Sequence, residues 1–274
     1  MKRAPRRHLL AAALLAAALT TAACGSDSGS GSTGSTSDTG STSRASSTAA
    51  LTGTITVFAA ASLQEGFNTL GVQFEAAHPG TKVVFNFGPS SGLATSIVSG
   101  APADVFASAS QKNMGQVTAA KLATGPTAFV RNVMEIAVPA ANPAKIASVN
   151  DLARARVKVA ICQPQVPCGA GAATVFANAK ITVEPVSEEV DVKSVLTKVS
   201  LGEVDAGVVY LTDVKSAGDK VKGIVIPAEV NASTTYPIVT LTGAPNAAAA
   251  AAFTAYVLSA DGAAVLTADG FANP

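Results

Sequence analysis

The amino-acid sequence predicts an α/β protein in which mostly parallel sheets, flanked by helices, form two lobes around a hinged cleft. Short strand patterns alternate with helical patterns from Thr54 onwards, which is typical of a sheet covered by helices. The pattern reaches a strand at 133–138 and starts again beyond Pro143, which indicates two such units. The chain then returns, so that two segments cross between the lobes, near 130–134 and 236–239, and form a hinge.

The first 23 residues have the organisation of an export signal. A start with four basic residues is followed by an apolar stretch and by small residues before Cys24. The apolar stretch has about 11 residues, whereas a membrane-spanning helix needs roughly 20. The arrangement resembles a bacterial lipoprotein signal, in which the cysteine carries the lipid. We therefore expect an extracytoplasmic protein that is anchored to the outer face of the cell membrane through Cys24 alone.

Composition separates a tether from the folded part. Residues 24–50 are mainly Gly, Ser, Thr and Asp and cannot bury enough apolar surface to fold, which predicts a flexible tether. Without the signal, the chain has 15 basic against 18 acidic residues and no visible basic face, so we expect no nucleic-acid partner. Cys162 and Cys168 form an even pair in an oxidising compartment, which favours a disulfide.

The strand and helix patterns assign residues 51–132 with 237–274 to lobe 1 and residues 133–236 to lobe 2. Apolar and β-branched runs indicate strands, and apolar residues three or four positions apart indicate helices. In lobe 1 the predicted strands are 54–59, 82–87, 105–107 and 237–241, and the predicted helices are 62–77, 93–99, 246–258 and one before Phe271. In lobe 2 the predicted strands are 133–138, 157–162, 181–185, 206–210 and 223–226, and the predicted helices are 169–179 and 192–201.

Junctions between a strand and the following helix are the candidate binding site, because ligands of open α/β sheets bind beyond the carboxyl ends of strands. Ser62 follows the first strand, and Glu65 three residues later completes the pattern of a capping box. A helix N-terminus also attracts anions through its free N–H groups and its dipole. Ser62 is therefore either a structural cap or part of an anion site.

The second junction, GPSSG at 88–92, places two hydroxyls among residues that permit close backbone approach. It also matches the G-x-S-x-G elbow, so a serine hydrolase that uses Ser90 is an alternative. Such a serine needs a base, usually a histidine later in the chain. The two histidines, His8 and His78, both precede Ser90. We therefore expect a binding protein and not an enzyme.

Three more junctions lie in lobe 2. The loop 162–169 leads into a helix whose first donors are the N–H groups of Gly169 or Ala170. Asp191 begins the next helix and is interpreted as its N-cap. Tyr210 ends a strand and is either a core residue with a solvated tip or a ligand donor.

The five junctions together predict a neutral pocket that is rich in hydrogen-bond donors, because none of them carries Lys or Arg. An anion with acceptor oxygens only can be held in this way, whereas a protonated phosphate also needs an acceptor such as a carboxylate. No histidine cluster is present to hold a metal ion directly, and no cofactor is expected.

Four segments resemble a known family: FAAASL at 58–63, FGPSSGL at 87–93, GAPADVF at 100–106 and GVVY at 207–210. In the same order, they are similar to segments of the periplasmic molybdate-binding proteins of ABC transporters. The resemblance implies a class II-type periplasmic binding protein that captures molybdate, and also tungstate. It further implies a monomer that delivers the anion to a membrane permease and its ATPase.

The resemblance also assigns the site residues. It places the two serine ligands at Ser62 and Ser90, the tyrosine at Tyr210, and backbone donors at Gly169 and Val192, so that the metal is held through its oxygens and not coordinated directly. The sequence departs from the family at Pro89, often a serine there, and at the cysteine pair, which leaves Gly169 and Ala170 as alternatives. Another oxyanion, such as sulfate, is the alternative ligand.

Overall fold

The structure is a computed structural model, and it describes residues 50–274. The predicted signal at 1–23, the predicted lipid site at Cys24 and the predicted tether, except Ala50, lie outside the described residues.

Residues 50–274 form strands and helices in alternation, as the pattern predicts. The strands are β1 (Gly53–Ala60), β2 (Thr81–Gly88), β3 (Val105–Ala107), β4 (Thr127–Pro139), β5 (Val159–Cys162), β6 (Ser187–Glu189), β7 (Ala206–Tyr210), β8 (Val221–Val225) and β9 (Ser233–Thr240). The α-helices are α1 (Gln64–Ala77), α2 (Ser90–Val98), α3 (Gln111–Ala119), α4 (Pro167–Ala179), α5 (Val192–Ser200), α6 (Leu211–Ala217), α7 (Ala247–Val257) and α8 (Ala260–Asp269). In this part of the chain no single helix is long and apolar enough to cross a membrane; α7 and α8 reach that length only together, and they meet at a 60° bend.

The strands are ordered β2-β1-β3-β9-β4-β7-β5-β6, with β8 also paired to β4. β1 is parallel to β2 and β3, and β5 is parallel to β6 and β7. The long strand β4 changes partner along its length: it pairs with β9 up to Val133 and with β7 and β8 from Met134 onwards. One strand thus belongs to both halves of the sheet, at the predicted crossing.

The buried apolar side chains form three clusters, two on the first half of the sheet and one on the second. Alternation along β1 fills both faces of the first half, since Ile55 and Val57 belong to one cluster and Phe58 to the other. The third cluster comes from residues 134–226, with the single addition of Ala61. Ala61 therefore packs the turn after β1 against the second half of the chain. The lobe boundaries stay a prediction, which this separation of the clusters favours.

Two predicted elements differ from the structure. The predicted strand at 181–185 is wrong: the Ile181 N–H donates to the Phe176 carbonyl at the end of α4, and the edge strand is β6 instead. Pro185 has no N–H for a ladder, which also disfavours a strand there. The helix predicted from Ser62 begins at Gln64, after a 3₁₀ turn at Ala61–Leu63.

Two helices, α3 and α6, were not predicted, since each is short. Their sequences, QKNMGQVTA and LTDVKSA, carry few apolar residues at helical spacing.

Candidate functional site

The five predicted junctions surround one small cavity between the two halves of the chain. Its volume is about 20 Å³, compared with the roughly 10–15 Å³ that one water molecule needs. The space suits a compact ion. Of the five predicted site residues, four line the cavity: Ser62, Ser90, Val192 and Tyr210.

Ser62 lies in the middle of the 3₁₀ turn after β1 and is 4% exposed. Its Oγ lies 2.9 Å from the Tyr236 hydroxyl oxygen. The predicted capping box is wrong, because no side chain caps either this turn or α1, and the Glu65 carboxylate accepts from the Lys193 ammonium at 2.8 Å instead. The turn displaces Ser62 from the N-cap position, so its hydroxyl is available to the cavity.

Ser90 is the first residue of α2 and is 1% exposed. Its Oγ accepts the Ala109 N–H at 2.9 Å, so the Ser90 proton remains available for donation. Pro89 occupies the N-cap position, and the first N–H groups of the helix have no intrahelical partner. The contribution of Ala109 could not be recognised from the sequence, because its donor is a backbone group in a loop.

The second wall is built on the start of α4. Cys162 and Cys168 form the predicted disulfide, which ties this helix to the end of β5, and Cys168 lines the cavity. Gly169 is buried one residue further along and is not part of the lining. A side chain on Gly169 would overlap the backbone oxygens of Gln163 and Cys162, so the glycine allows the helix to start against this loop. Its role as an amide donor stays a prediction.

The same wall contains the start of α5 and the end of β7. Asp191 caps α5, as predicted, by accepting the Ser194 N–H at 2.9 Å, and Val192 is the first helical residue. Tyr210 is 2% exposed, and among the described residues its hydroxyl has no hydrogen-bond partner. Burial raises the pKa of Tyr210 well above its usual value, so this hydroxyl keeps its proton. A buried unpaired hydroxyl is costly, and an acceptor on a ligand would remove that cost.

A group of charged residues that the sequence did not reveal lies behind this wall. Asp213 is fully buried and accepts the Tyr210 N–H at 3.1 Å. Lys193 lies 3.2 Å from the other oxygen of Asp213 and 2.8 Å from Glu65, and so connects α5 and α6 to α1. Burial raises the pKa of Asp213 to about 6, although Lys193 opposes this shift. The sequence signal for this contact is the position of Asp213, three residues after Tyr210. It can be recognised only if α6 is predicted, and α6 was not.

The polar groups of the cavity wall are mainly hydrogen-bond donors. Within the described residues, the cavity wall contains no Lys or Arg, and its one carboxylate, that of Asp191, is used to cap α5. His78, the single histidine of residues 50–274, follows α1 and packs against the ring of Phe74 with centroids 4.5 Å apart. The same residues contain no group of three His, Cys, Asp or Glu side chains that could hold a metal ion. Such a site can bind a small anion through its oxygens.

Comparison with known proteins finds a family model and several similar proteins. The family model described as bacterial extracellular solute-binding protein matches residues 55–272. The chain is 44% identical over 222 residues to the molybdate-binding protein ModA of Mycobacterium tuberculosis, an alignment that covers 81% of this chain and 85% of that protein.

Two solved structures share the fold. The periplasmic molybdate-binding protein of Azotobacter vinelandii has a TM-score of 0.72 and 21% identity, over 80% of this chain and 99% of that one. The sulfate-binding protein SubI of Mycobacterium tuberculosis has a TM-score of 0.68 and 18% identity, over 80% of this chain and 86% of that one. The predicted α/β binding-protein fold is thereby confirmed.

Proposed function

The chain belongs to the bacterial extracellular solute-binding protein family, and on this premise we propose that it binds molybdate, and also tungstate, in the cavity between its two halves. The anion is held by the hydroxyls of Ser62, Ser90 and Tyr210 and by backbone N–H groups at the starts of α4 and α5, those of Gly169 and Val192 included. The protein performs no chemistry on it. The relative named as a molybdate-binding protein, 44% identical to this chain, supports the choice of anion.

One observation carries the proposal: the buried Tyr210 hydroxyl without a partner lines a cavity that two other buried hydroxyls also line. The cavity wall contains no Lys or Arg within the described residues, and hydrogen bonds to an anion are stronger than those between neutral groups. An oxyanion with four acceptor oxygens can satisfy several fixed donors together. A neutral solute of this size offers fewer acceptors.

The remaining parts of the proposal concern delivery. The protein is a monomer that works outside the cytoplasm, is held at the membrane by a lipid on Cys24, and passes the anion to the permease and ATPase of an ABC transporter. Its lobes, 51–132 with 237–274 and 133–236, close on the anion by motion about β4 and β9. Membership of the extracellular solute-binding family supports this location.

The alternatives are a receptor for sulfate and a hydrolase. Sulfate has the same charge as molybdate, so a site of hydrogen-bond donors can also hold sulfate. Only a binding measurement distinguishes the two anions. For a hydrolase, Ser90 has no base hydrogen-bonded to it within the described residues 50–274, since its Oγ accepts from Ala109 and His78 packs on Phe74. Turnover of an activated ester by the purified protein would support the hydrolase.

Calorimetric titration with molybdate, tungstate and sulfate tests the proposal. We expect molybdate and tungstate to bind and to raise the melting temperature, because a ligand that binds only the native state stabilises it. Sulfate binding as tight as molybdate binding, at the same pH and ionic strength, would contradict the choice of anion.

A further inference from the structure

We propose that the disulfide between Cys162 and Cys168 controls the affinity of the site: it holds the start of α4 in the position that binds the anion, and its reduction by a thiol weakens binding. This inference rests on the proposed function and adds a redox-sensitive element to it. The bridge joins residues six positions apart in sequence, and both cysteines are buried.

The loop that the disulfide closes is part of the cavity wall. Its last three residues, Val166, Pro167 and Cys168, all line the cavity. Cys162, at the other end of the loop, ends β5, which lies in the sheet between β6 and β7. Cys168 is the second residue of α4. The bridge thus ties a segment of the cavity wall to a central strand.

The start of α4 has free donors of the kind that an anion needs. Its first residue, Pro167, has no N–H group, and the Ala170 N–H donates to the Val166 carbonyl at 3.0 Å. Between them, the N–H groups of Cys168 and Gly169 donate to no other group in the part of the chain that the structure describes. Both residues are buried, so these donors are costly to leave without an acceptor. An oxygen of the bound anion removes this cost.

The other restraints on this loop are weaker than the bridge. No side chain caps α4 at Val166, whose N–H donates to the Gln163 carbonyl at 3.0 Å. The Gln163 N–H donates to the Glu189 carbonyl of β6 at 2.9 Å, which holds the β5 side of the loop. The disulfide is covalent, and it is therefore the strongest restraint on the distance between Cys162 and the start of α4.

Reduction removes this restraint and also changes the space that the two sulfur atoms need. A thiol attacks the bridge as its thiolate and forms a mixed disulfide, which a second thiol resolves. The two thiols become one disulfide, and two electrons and two protons pass to Cys162 and Cys168. The two sulfur atoms must then separate to van der Waals distance in a closely packed position. Because Cys162 is fixed in the sheet, the start of α4 shifts, and the donors of Cys168 and Gly169 shift with it.

Binding and reduction oppose each other. If reduction weakens the binding of the anion by a given factor, the bound anion disfavours reduction by the same factor. The anion also blocks access to the bridge, since Cys168 is 3% exposed and lines the cavity that the anion fills. A thiol therefore reaches the disulfide most readily in the protein without its anion.

The double variant Cys162→Ala, Cys168→Ala tests the role of the bridge without a reductant. We expect it to bind molybdate about tenfold more weakly than the oxidised wild type, because a loop that becomes ordered only on binding lowers affinity. Val175→Ala is the matched control, since Val175 is fully buried two turns further along α4. This control loses core packing but keeps the bridge, so its affinity should stay within about twofold of the wild type. Calorimetric titration measures all three proteins.

Reduction of the wild type gives a readout that a merely structural bridge would not change. Wild-type protein is reduced with dithiothreitol, freed of the reagent under nitrogen and titrated with molybdate. It should bind about tenfold more weakly, and reoxidation should restore the affinity. Tungstate at ten times its dissociation constant should slow the reduction about tenfold, because only the protein without its anion reacts. Alkylation of Cys162 and Cys168, followed by mass spectrometry of their peptides, measures that rate.

Molybdate affinity within twofold of the oxidised wild type, in both the reduced protein and the double variant, would overturn the inference. An equally large loss in Val175→Ala would also overturn it, because general destabilisation would then explain the effect. If the double variant does not fold, the reduced wild type alone decides. If the oxidised wild type binds neither molybdate nor tungstate, the proposed function fails, whereas equal affinities of the two redox forms leave the proposed function standing.

Discussion

In the proposed site, the two walls of the cavity hold their donors in different ways. The wall from the first half of the chain uses the side-chain hydroxyls of Ser62 and Ser90, each held by another residue, Tyr236 or Ala109. The wall from the second half uses the starts of two helices, together with the Tyr210 hydroxyl. A donor on a side chain can be removed by one substitution. A backbone donor can only be displaced, so substitutions should affect the two walls differently.

The largest effect on binding and on stability is expected from a substitution that moves the start of α4 in the second wall. In Gly169→Ala the new methyl group would overlap the backbone oxygens of Gln163 and Cys162, and the disulfide limits how far the loop can yield. We expect the free energy of unfolding to fall by about 3 kcal/mol. Molybdate affinity should fall about a hundredfold, because the helix start moves. Denaturant unfolding and calorimetry measure the two quantities.

Gly115→Ala is the matched control for this substitution. Gly115 lies within α3, and an added Cβ there meets no atom within 4 Å. Alanine favours a helix by roughly 1 kcal/mol over glycine, so this variant should be as stable as the wild type or more so. Wild-type affinity in Gly169→Ala would show that the second wall does not depend on this close approach.

The second wall also rests on a titrating group, Asp213, which accepts the Tyr210 N–H and faces Lys193 on α5 and Glu65 on α1. Burial raises the pKa of Asp213 to about 6 from its ordinary value of 3.8. Between these values the folded protein holds a proton that the unfolded chain has lost. This group therefore contributes stability below about pH 4, and the contribution is lost as the pH rises through about 6.

Asp213→Asn should remove this dependence. Relative to the variant, the wild type should lose about 2–3 kcal/mol of unfolding free energy between pH 4 and pH 7. Denaturant unfolding at a series of pH values measures the difference, and Asp219→Asn, at an exposed position, controls for the loss of one negative charge. A constant difference between wild type and Asp213→Asn would mean that Asp213 does not take up a proton on folding.

On the first wall, Ser90→Ala removes one donor and also the acceptor of the Ala109 N–H. It should weaken molybdate binding by about 1.5–3 kcal/mol, the usual contribution of a hydrogen bond to a charged group. Ser91→Ala is the control, because Ser91 is the next residue of α2 and does not line the cavity. If the two variants bind molybdate equally well, Ser90 is not a ligand.

The sequence predicted the residues that line the cavity better than it predicted the contacts behind them. The ends of strands are marked by local residue patterns, so four of the five predicted residues line the cavity. The capping box at Ser62 was wrong because the same local pattern fits two positions of the serine, and in the structure its Oγ lies beside the Tyr236 hydroxyl instead. Neither that contact nor the one between Lys193 and Asp213 has a local signature, since each joins residues that are distant in sequence.

The smallest effect on binding is expected at Val192, and it gives the sharpest test of the difference between the walls. Val192 is buried at the start of α5, and its proposed contribution is its N–H group. Val192→Ala keeps that group, so molybdate affinity should change by less than about 0.5 kcal/mol, within the usual range for a substitution that removes no key interaction. The lost side-chain packing should still lower the unfolding free energy, by about 1–2 kcal/mol. Val195→Ala is the control for this loss of stability, because Val195 lies one turn further along α5 in the same cluster. If Val192→Ala weakens binding as much as Ser90→Ala does, the second wall also acts through side chains, and the contrast between the two walls does not hold.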